Sequence, residues 1–201
     1  MTSPSTTRWQ KPWVTLLTLV VFAVGVVGAS PAGGTASNET EVPVERQVPL
    51  LTRVLAFDRS LKGTAPLVLA VVYQAENRAS QQAHDAFVRA FERRPASVQG
   101  RPVRVVSVSA ASAERELRTL GADVAYVAPL RGIDVGRLAG ALSEAGVLTL
   151  TGVRRYVEVG VALGVGLRDG RPEILLNQRA ASAAGADLSA RLLQLATVVD
   201  S

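Results

Sequence analysis

From Leu67 onward the sequence alternates short β-branched runs with amphipathic segments of ten or so residues, and few architectures accept that rhythm. LVLAVVY (67–73) is a nearly continuous apolar run, preceded by Gly63 and Pro66 and followed by a polar loop from Gln74 to Arg78. That is the pattern of a strand buried on both faces. Ala83, Phe87 and Phe91 then recur every fourth residue, with Ala86 and Ala90 beside them and Pro95 beyond, which predicts a covering helix over 80–94. Val103–Val108 reads as the next strand, and 112–120 as a helix with Ala113, Leu117 and Leu120 turned inward and Glu114 four residues before Arg118 on its wet side. Asp123–Ala128 reads as a strand closed by Pro129. Asp134 is a good N-cap for a helix over 134–145 that buries Val135, Leu138, Ala139 and Leu142, and Val147–Leu150 supplies a fourth strand. Strands separated by helices pair in parallel through right-handed crossovers, so the expected class is α/β, in three layers around a mostly parallel sheet.

Both ends of this body are also patterned. Residues 47–61 set Leu50, Leu51, Val54, Leu55 and Leu61 at helical spacing, which predicts a first helix. Near the C-terminus Val157–Leu167 and Pro172–Leu176 are apolar runs joined by Asp169-Gly170, a strong hairpin signal; the sheet is therefore expected to end in an antiparallel hairpin. Asn177 can cap a short helix over 178–184 that Gly185 stops. Leu188, Leu192, Leu195 and Val199 line a closing amphipathic helix. The folded domain is expected over 47–201, which at 155 residues leaves no room for a second α/β half.

Residues 1–12 are polar with only positive charge, residues 13–29 carry none, and Gly28, Ala29, Ser30 and Ala32 are small. This order reads as a secretory signal peptide over 1–29 with cleavage after Ala29. The alternative is an uncleaved membrane anchor, although 17 helical residues span only about 26 Å of a hydrocarbon core of about 30 Å. Segment 30–46 is small, polar and broken by Pro31 and Pro43, as a flexible spacer would be. The rest of the chain is therefore expected to be exported.

Composition removes whole classes of function. With no cysteine there is no disulfide scaffold, thiol nucleophile, Cys-ligated zinc or iron–sulfur site. Arg8 and Lys11 belong to the leader, so 20 basic side chains face 17 acidic ones in the rest. That field is weak, aromatic residues are 4% of the chain, and a nucleic-acid partner is not expected. The single histidine, His84, reads as a partly exposed helical residue rather than a ligand or base, so neither a catalytic residue nor a metal or other cofactor is assigned. Asp123 and Asp134 fall near opposite ends of one strand–helix unit and do not make a two-carboxylate hydrolase. Gly160, Gly164 and Gly166 lack the strand–turn–helix setting of a dinucleotide site and read as close strand packing.

The stretch from Val147 to Val199 is the most specific part of the chain. VLTLTG, a glycine before a strand, and LRDGRPEILLNQRAASAAGADLSARLLQLATVV follow one another. This order resembles the C-terminal signature of the YfiR-like family of periplasmic proteins: a "vLTv" strand, a hairpin, an "IN" step and a closing "S…LLkLA" helix. Val147, Leu148, Thr149, Gly170, Arg171, Ile174, Asn177, Ala181, Gly185, Leu188, Ser189, Leu192, Leu193, Leu195 and Ala196 fall at the matching positions. Relatives often carry a Trp-Pro step after the first helix, where this chain has Phe57-Asp58 and later Ala65-Pro66, and many carry cysteines, so redox control through disulfides is not expected here. The resemblance implies a non-enzymatic periplasmic regulator that binds the exported sensor region of an inner-membrane diguanylate cyclase and represses it, in cyclic-di-GMP signalling.

In a parallel α/β sheet, ligands collect beyond the carboxyl ends of the strands. Tyr73, Gln74, Asn77, Arg78, Arg131 and Thr151 stand at those ends and are the expected contacts for a small polar or anionic ligand. Arg154, Arg155, Arg168, Arg171 and Arg191 cluster near the hairpin, either as a solvated rim or as a face for an acidic partner surface. Expected partners are thus the periplasmic region of an inner-membrane signalling protein, a small polar ligand and a second copy of the chain in a homodimer. The alternative function is a single-lobed solute-binding component of an importer or sensor system, and a hydrolase has the least support.

Overall fold

The structure is a computed structural model that describes residues 40–199. The leader over 1–29, the cleavage position after Ala29 and residues 30–39 of the expected spacer lie outside the described residues. In chain order the elements are α1 (Val44–Leu55), β1 (Leu67–Tyr73), α2 (Arg78–Arg93), β2 (Ser97–Val98), β3 (Arg101–Ser109), α3 (Ala113–Leu120), β4 (Val124–Val127) and α4 (Val135–Glu144). They continue with β5 (Leu148–Thr151), α5 (Arg154–Glu158), β6 (Leu163–Arg168), β7 (Arg171–Leu176), α6 (Gln178–Ala183), α7 (Ala190–Leu195) and β8 (Thr197–Val198). All eight strands join one sheet in the order β2-β3-β1-β4-β5-β6-β7-β8. Pairing is parallel from β3 through β6, antiparallel in the β6–β7 hairpin, and parallel again at β8. This is the expected three-layer plan.

The continuous apolar run of β1 explains the layering. Leu67, Leu69 and Val71 face a core shared with α1, α2 and single side chains of α6 and α7, whereas Val68, Ala70 and Val72 face a second core under α3, α4 and Tyr156 of α5. None of the six is more than 8% exposed. At about 1.5–3 kcal/mol for each large side chain removed from water, this strand alone anchors both layers. Helix starts are fixed by side chains named from sequence: Asp134 accepts from the Arg137 amide, and Asn177 from the Ala180 amide. Asp169 and Gly170 both have positive φ, 50° and 74°, the paired left-handed residues that a tight two-residue hairpin turn requires.

Four local expectations are corrected. The first helix starts at Val44, and Val42 and Val44 are buried, so the end of the expected spacer belongs to the fold. That helix ends at Leu55, and Leu61 sits instead in a separate 3-10 turn whose start Asp58 caps through the Ser60 amide. The run Val157–Leu167 is not one strand, because Arg154–Glu158 is helical and β6 begins only at Leu163. A parallel β5–β6 pair cannot be joined by a tight turn, and α5 is the short crossover that joins it. The closing helix stops at Leu195, since Ala196 is extended (φ −89°, ψ 148°) and Thr197-Val198, β-branched, add a strand beside β7.

Candidate functional site

The sheet order makes β1 the pivot of the domain. The chain leaves β1 through α2 to β3 on one side, then returns through α3 to β4 on the other, so the β1–β4 seam is a topological switch point. Beyond its carboxyl end opens a crevice of about 620 Å³. Gln74, Ser112, Glu114, Arg115, Asp134 and Arg137 supply its polar lining, with Ala110, Ala111, Gly132 and Ile133 between them. The N-termini of α3 and α4 both begin at this crevice and add partial positive charge. Arg137 donates to Glu114 across the two helices at 2.7 Å, which leaves Arg115 as the lining cation with no ion pair among the described residues. The arrangement suits a small polar molecule with an acidic group. It offers hydrogen bonds and charge.

The six side chains expected to contact a ligand take different parts. Gln74 lines the crevice, and its carboxamide fastens the two loops of the switch point by donating to Arg131 O (3.0 Å) and accepting from the Arg131 amide (2.7 Å). Arg131 is thus held by its backbone while its side chain is exposed. Asn77 caps α2, accepting from the Ala79 amide at 3.1 Å, and its Nδ2 is buried with no partner among the described residues. Arg78 opens α2 in solvent. Thr151 is buried, donating to Val127 O and accepting from the Val153 amide. Tyr73 stacks on His84 at 4.0 Å. The lining from α3 and α4 was missed. Its signal was the pair of loops after β3 and β4, where Ser112 and Asp134 stand as helix starters in front of Arg115 and Arg137.

The loop after β4 is braced from below. Tyr156 Oη accepts from the Leu130 amide at 2.8 Å and donates to Leu130 O at 3.1 Å. Burial pushes its phenol pKa up, against the Leu130 bond and the Arg155 charge, which pull it down.

His84 is better connected than its sequence suggests. Its Nε2 meets Ser107 Oγ at 2.7 Å and its Nδ1 meets Asp85 Oδ1 at 2.8 Å. The order of atoms, hydroxyl to imidazole to carboxylate, is that of a nucleophile and its base. Acyl transfer also needs backbone donors converging on the developing oxyanion. Ser107 lies inside β3, where successive amides point to opposite sides, so the strand itself does not supply that pair. The link ties α2 to the β3 strand.

The arginines near the hairpin divide into two groups. Arg154 and Arg168 both pair with Glu173, and Arg154 also donates to Leu167 O. Burial works to raise the Glu173 pKa, but hydrogen bonds from Arg154 and Thr197 and the charges of Arg168 and Arg154 outweigh it and hold the group below the usual carboxylate range. Arg155, Arg171 and Arg191 are exposed and form no ion pair among the described residues. Arg191 lies one turn before Leu195 on α7, and Leu195 and Val198 are 62% and 47% exposed.

Sheet order and helical layers define a three-layer α/β domain with a mostly parallel sheet. The chain belongs to the YfiR/HmsC-like family, whose sequence model matches residues 60–197, a span that begins well before the C-terminal signature and includes nearly all of it. The fold is similar to that of a conserved domain protein from Vibrio cholerae O1 biovar El Tor (17% identity, TM-score 0.55, covering 78% of this chain and 60% of that one). It is also similar to an ABC domain in complex with L-Trp from Streptococcus pneumonia (14%, TM-score 0.54, 78% and 62%). A third likeness is to the ligand-free, open form of a substrate binding protein with adhesive properties from Clostridium difficile (14%, TM-score 0.52, 81% and 61%). The chain thus spans about three fifths of the length of these structures. Among curated protein sequences none is significantly similar.

Proposed function

We propose that this chain is an exported, non-catalytic regulator that acts by contact, binding the periplasmic region of an inner-membrane diguanylate cyclase and repressing it. The family membership over residues 60–197 carries this reading. Among the described residues no helix is long and apolar enough to cross a membrane. The docking face we assign is α7 with β8 and the neighbouring β7: Leu195 and Val198 are its exposed apolar side chains, Arg191 stands one turn before Leu195, and Arg171, at the start of β7, is a second cation with no ion pair among the described residues. Exposed apolar side chains flanked by arginine are what an interface core and its anchors look like before association. Arg171→Glu together with Arg191→Glu is expected to weaken binding to the cyclase's periplasmic region by about tenfold or more, through like-charge juxtaposition. Co-purification and calorimetry measure it. No complex at micromolar concentrations with the wild-type chain would remove the reading.

A second reading, the solute-binding component of an importer or sensor system, is favoured by the switch-point crevice and can coexist with the first. A small carboxylate or amino acid held there at 100 times its Kd should stabilise the chain by about 2.7 kcal/mol. Thermal unfolding across a panel of such compounds checks this, and Arg115→Gln should abolish the shift for acidic members while leaving the ligand-free Tm unchanged.

A further inference from the structure

α1 and the C-terminal half of α2 lie side by side on the face opposite α3 and α4, and a groove of about 620 Å³ runs between them to the turn that enters β2. Its apolar lining comes from Val48, Pro49 and Ala56 on one side and Ala90, Pro95 and Ala96 on the other. The charged lining is unbalanced: Arg53, Arg93 and Arg94 against the single carboxylate of Glu45. None of these three guanidinium groups pairs with a carboxylate among the described residues; Arg93 spends one donor on Arg89 O. Pro49 stands inside α1, where it has no amide hydrogen to give Glu45 O, at a cost of about 3 kcal/mol for an interior helical position. It is exposed, so burial in the core does not offset that cost, and it presents its ring to the groove.

The volume is that of a small-molecule site, about 300–1,000 Å³. Apolar walls ask for an apolar body, and three guanidinium groups with no carboxylate partner among the described residues ask for an anionic head that can accept paired hydrogen bonds. We propose that the α1–α2 groove binds a single-chain anionic amphiphile of the fatty-acid type, with its carboxylate among Arg53, Arg93 and Arg94 and its chain along Val48, Pro49 and Ala96. This site is independent of the regulatory reading and of the switch-point crevice.

Calorimetric titration of the purified chain with dodecanoate, and in parallel with dodecanol, tests it. Dodecanoate is expected to bind saturably and about tenfold or more tighter than dodecanol. Combined Arg53→Gln, Arg93→Gln and Arg94→Gln, all at exposed positions, should weaken dodecanoate by about tenfold or more without moving Tm, and Ala56→Trp, which fills the groove, should abolish binding. The leader is common to all three proteins, so uptake by its apolar segment does not respond to these changes. Equal binding of acid and alcohol, wild-type affinity in the triple variant, or no saturable dodecanoate binding below the onset of micelles would each overturn the proposal.

Discussion

Arg101→Met should unfold at a free energy about 3–5 kcal/mol below wild type, with Tm lower by about 6–20 °C. Arg101 is buried at the start of β3, and its guanidinium gathers the end of the sheet away from the crevice. Nε donates to Ala65 O at 2.7 Å, Nη1 to Leu61 O at 3.0 Å, and Nη2 to Pro66 O at 3.2 Å and to the carboxylate of Asp123 at 3.1 Å. Asp123 in turn accepts from the Val68 amide at 2.7 Å. One side chain thus fastens the loop before β1 to the strands on either side of it. Methionine fills similar volume and supplies no donor, so three carbonyls and a carboxylate lose their partner together. Removing one member of a buried pair costs more than the pair contributes, because the other is left uncompensated. Asp123→Asn keeps an acceptor for Val68 and is the milder change, about 1–3 kcal/mol. The double variant should fall short of the sum of the two. Urea unfolding measures all three, and a loss under about 1 kcal/mol for Arg101→Met would refute the clamp. Crevice affinity should be unaffected in the folded fraction, since the clamp is at the other end of the strands.

Arg101 also shows where reading a sequence stops. The strand and helix rhythm from Leu67 to Leu150 was legible because each element buries a periodic apolar face, and periodicity is local. The hairpin was legible because Asp169 and Gly170 announce their own backbone conformation. The roles of Arg101, Gln47 and Tyr156 were not, since a polar residue advertises nothing about a partner 22, 79 or 26 positions away. The same blindness governed the site. The sequence places Gln74 and Arg131 at strand ends, but that one fastens the backbone of the other depends on the β1–β4 adjacency, which the sheet order alone determines. Thr151 sat at an expected ligand position and is occupied by its own neighbours' backbone. Leucine spacing extends the closing helix over Thr197 and Val198, whereas their β-branching favours a strand; pairing with β7 decides between the two.

Gly152→Ala should destabilise the chain by about 3–5 kcal/mol, although its φ is not in the left-handed region. The reason is space. Gln47, fully buried, donates from Nε2 to Val42 O at 2.6 Å and accepts at Oε1 from Tyr126 Oη at 2.9 Å, and its carboxamide occupies the volume a Cβ on Gly152 would need. Alanine there expels the amide, and the Val42 carbonyl and the Tyr126 hydroxyl lose this partner at once. Burial holds the Tyr126 phenol well above its ordinary pKa, so it remains a neutral hydroxyl that must donate, and its ring is pinned against Phe87 at 4.2 Å and cannot turn away. The expected consequence is local as well as global: residues 42–48 detach first, so amide exchange accelerates at the start of α1 before the sheet opens. A compensating variant separates this account from simple overpacking. Gln47→Ala makes room for the new methyl, and Tyr126→Phe removes the hydroxyl that would be stranded. The triple variant should regain at least half of the loss, while Gly152→Ala combined with Gln47→Ala alone should regain less because Tyr126 still lacks an acceptor. Strict additivity among the three changes would show that Gln47 does not stand between Gly152 and Tyr126.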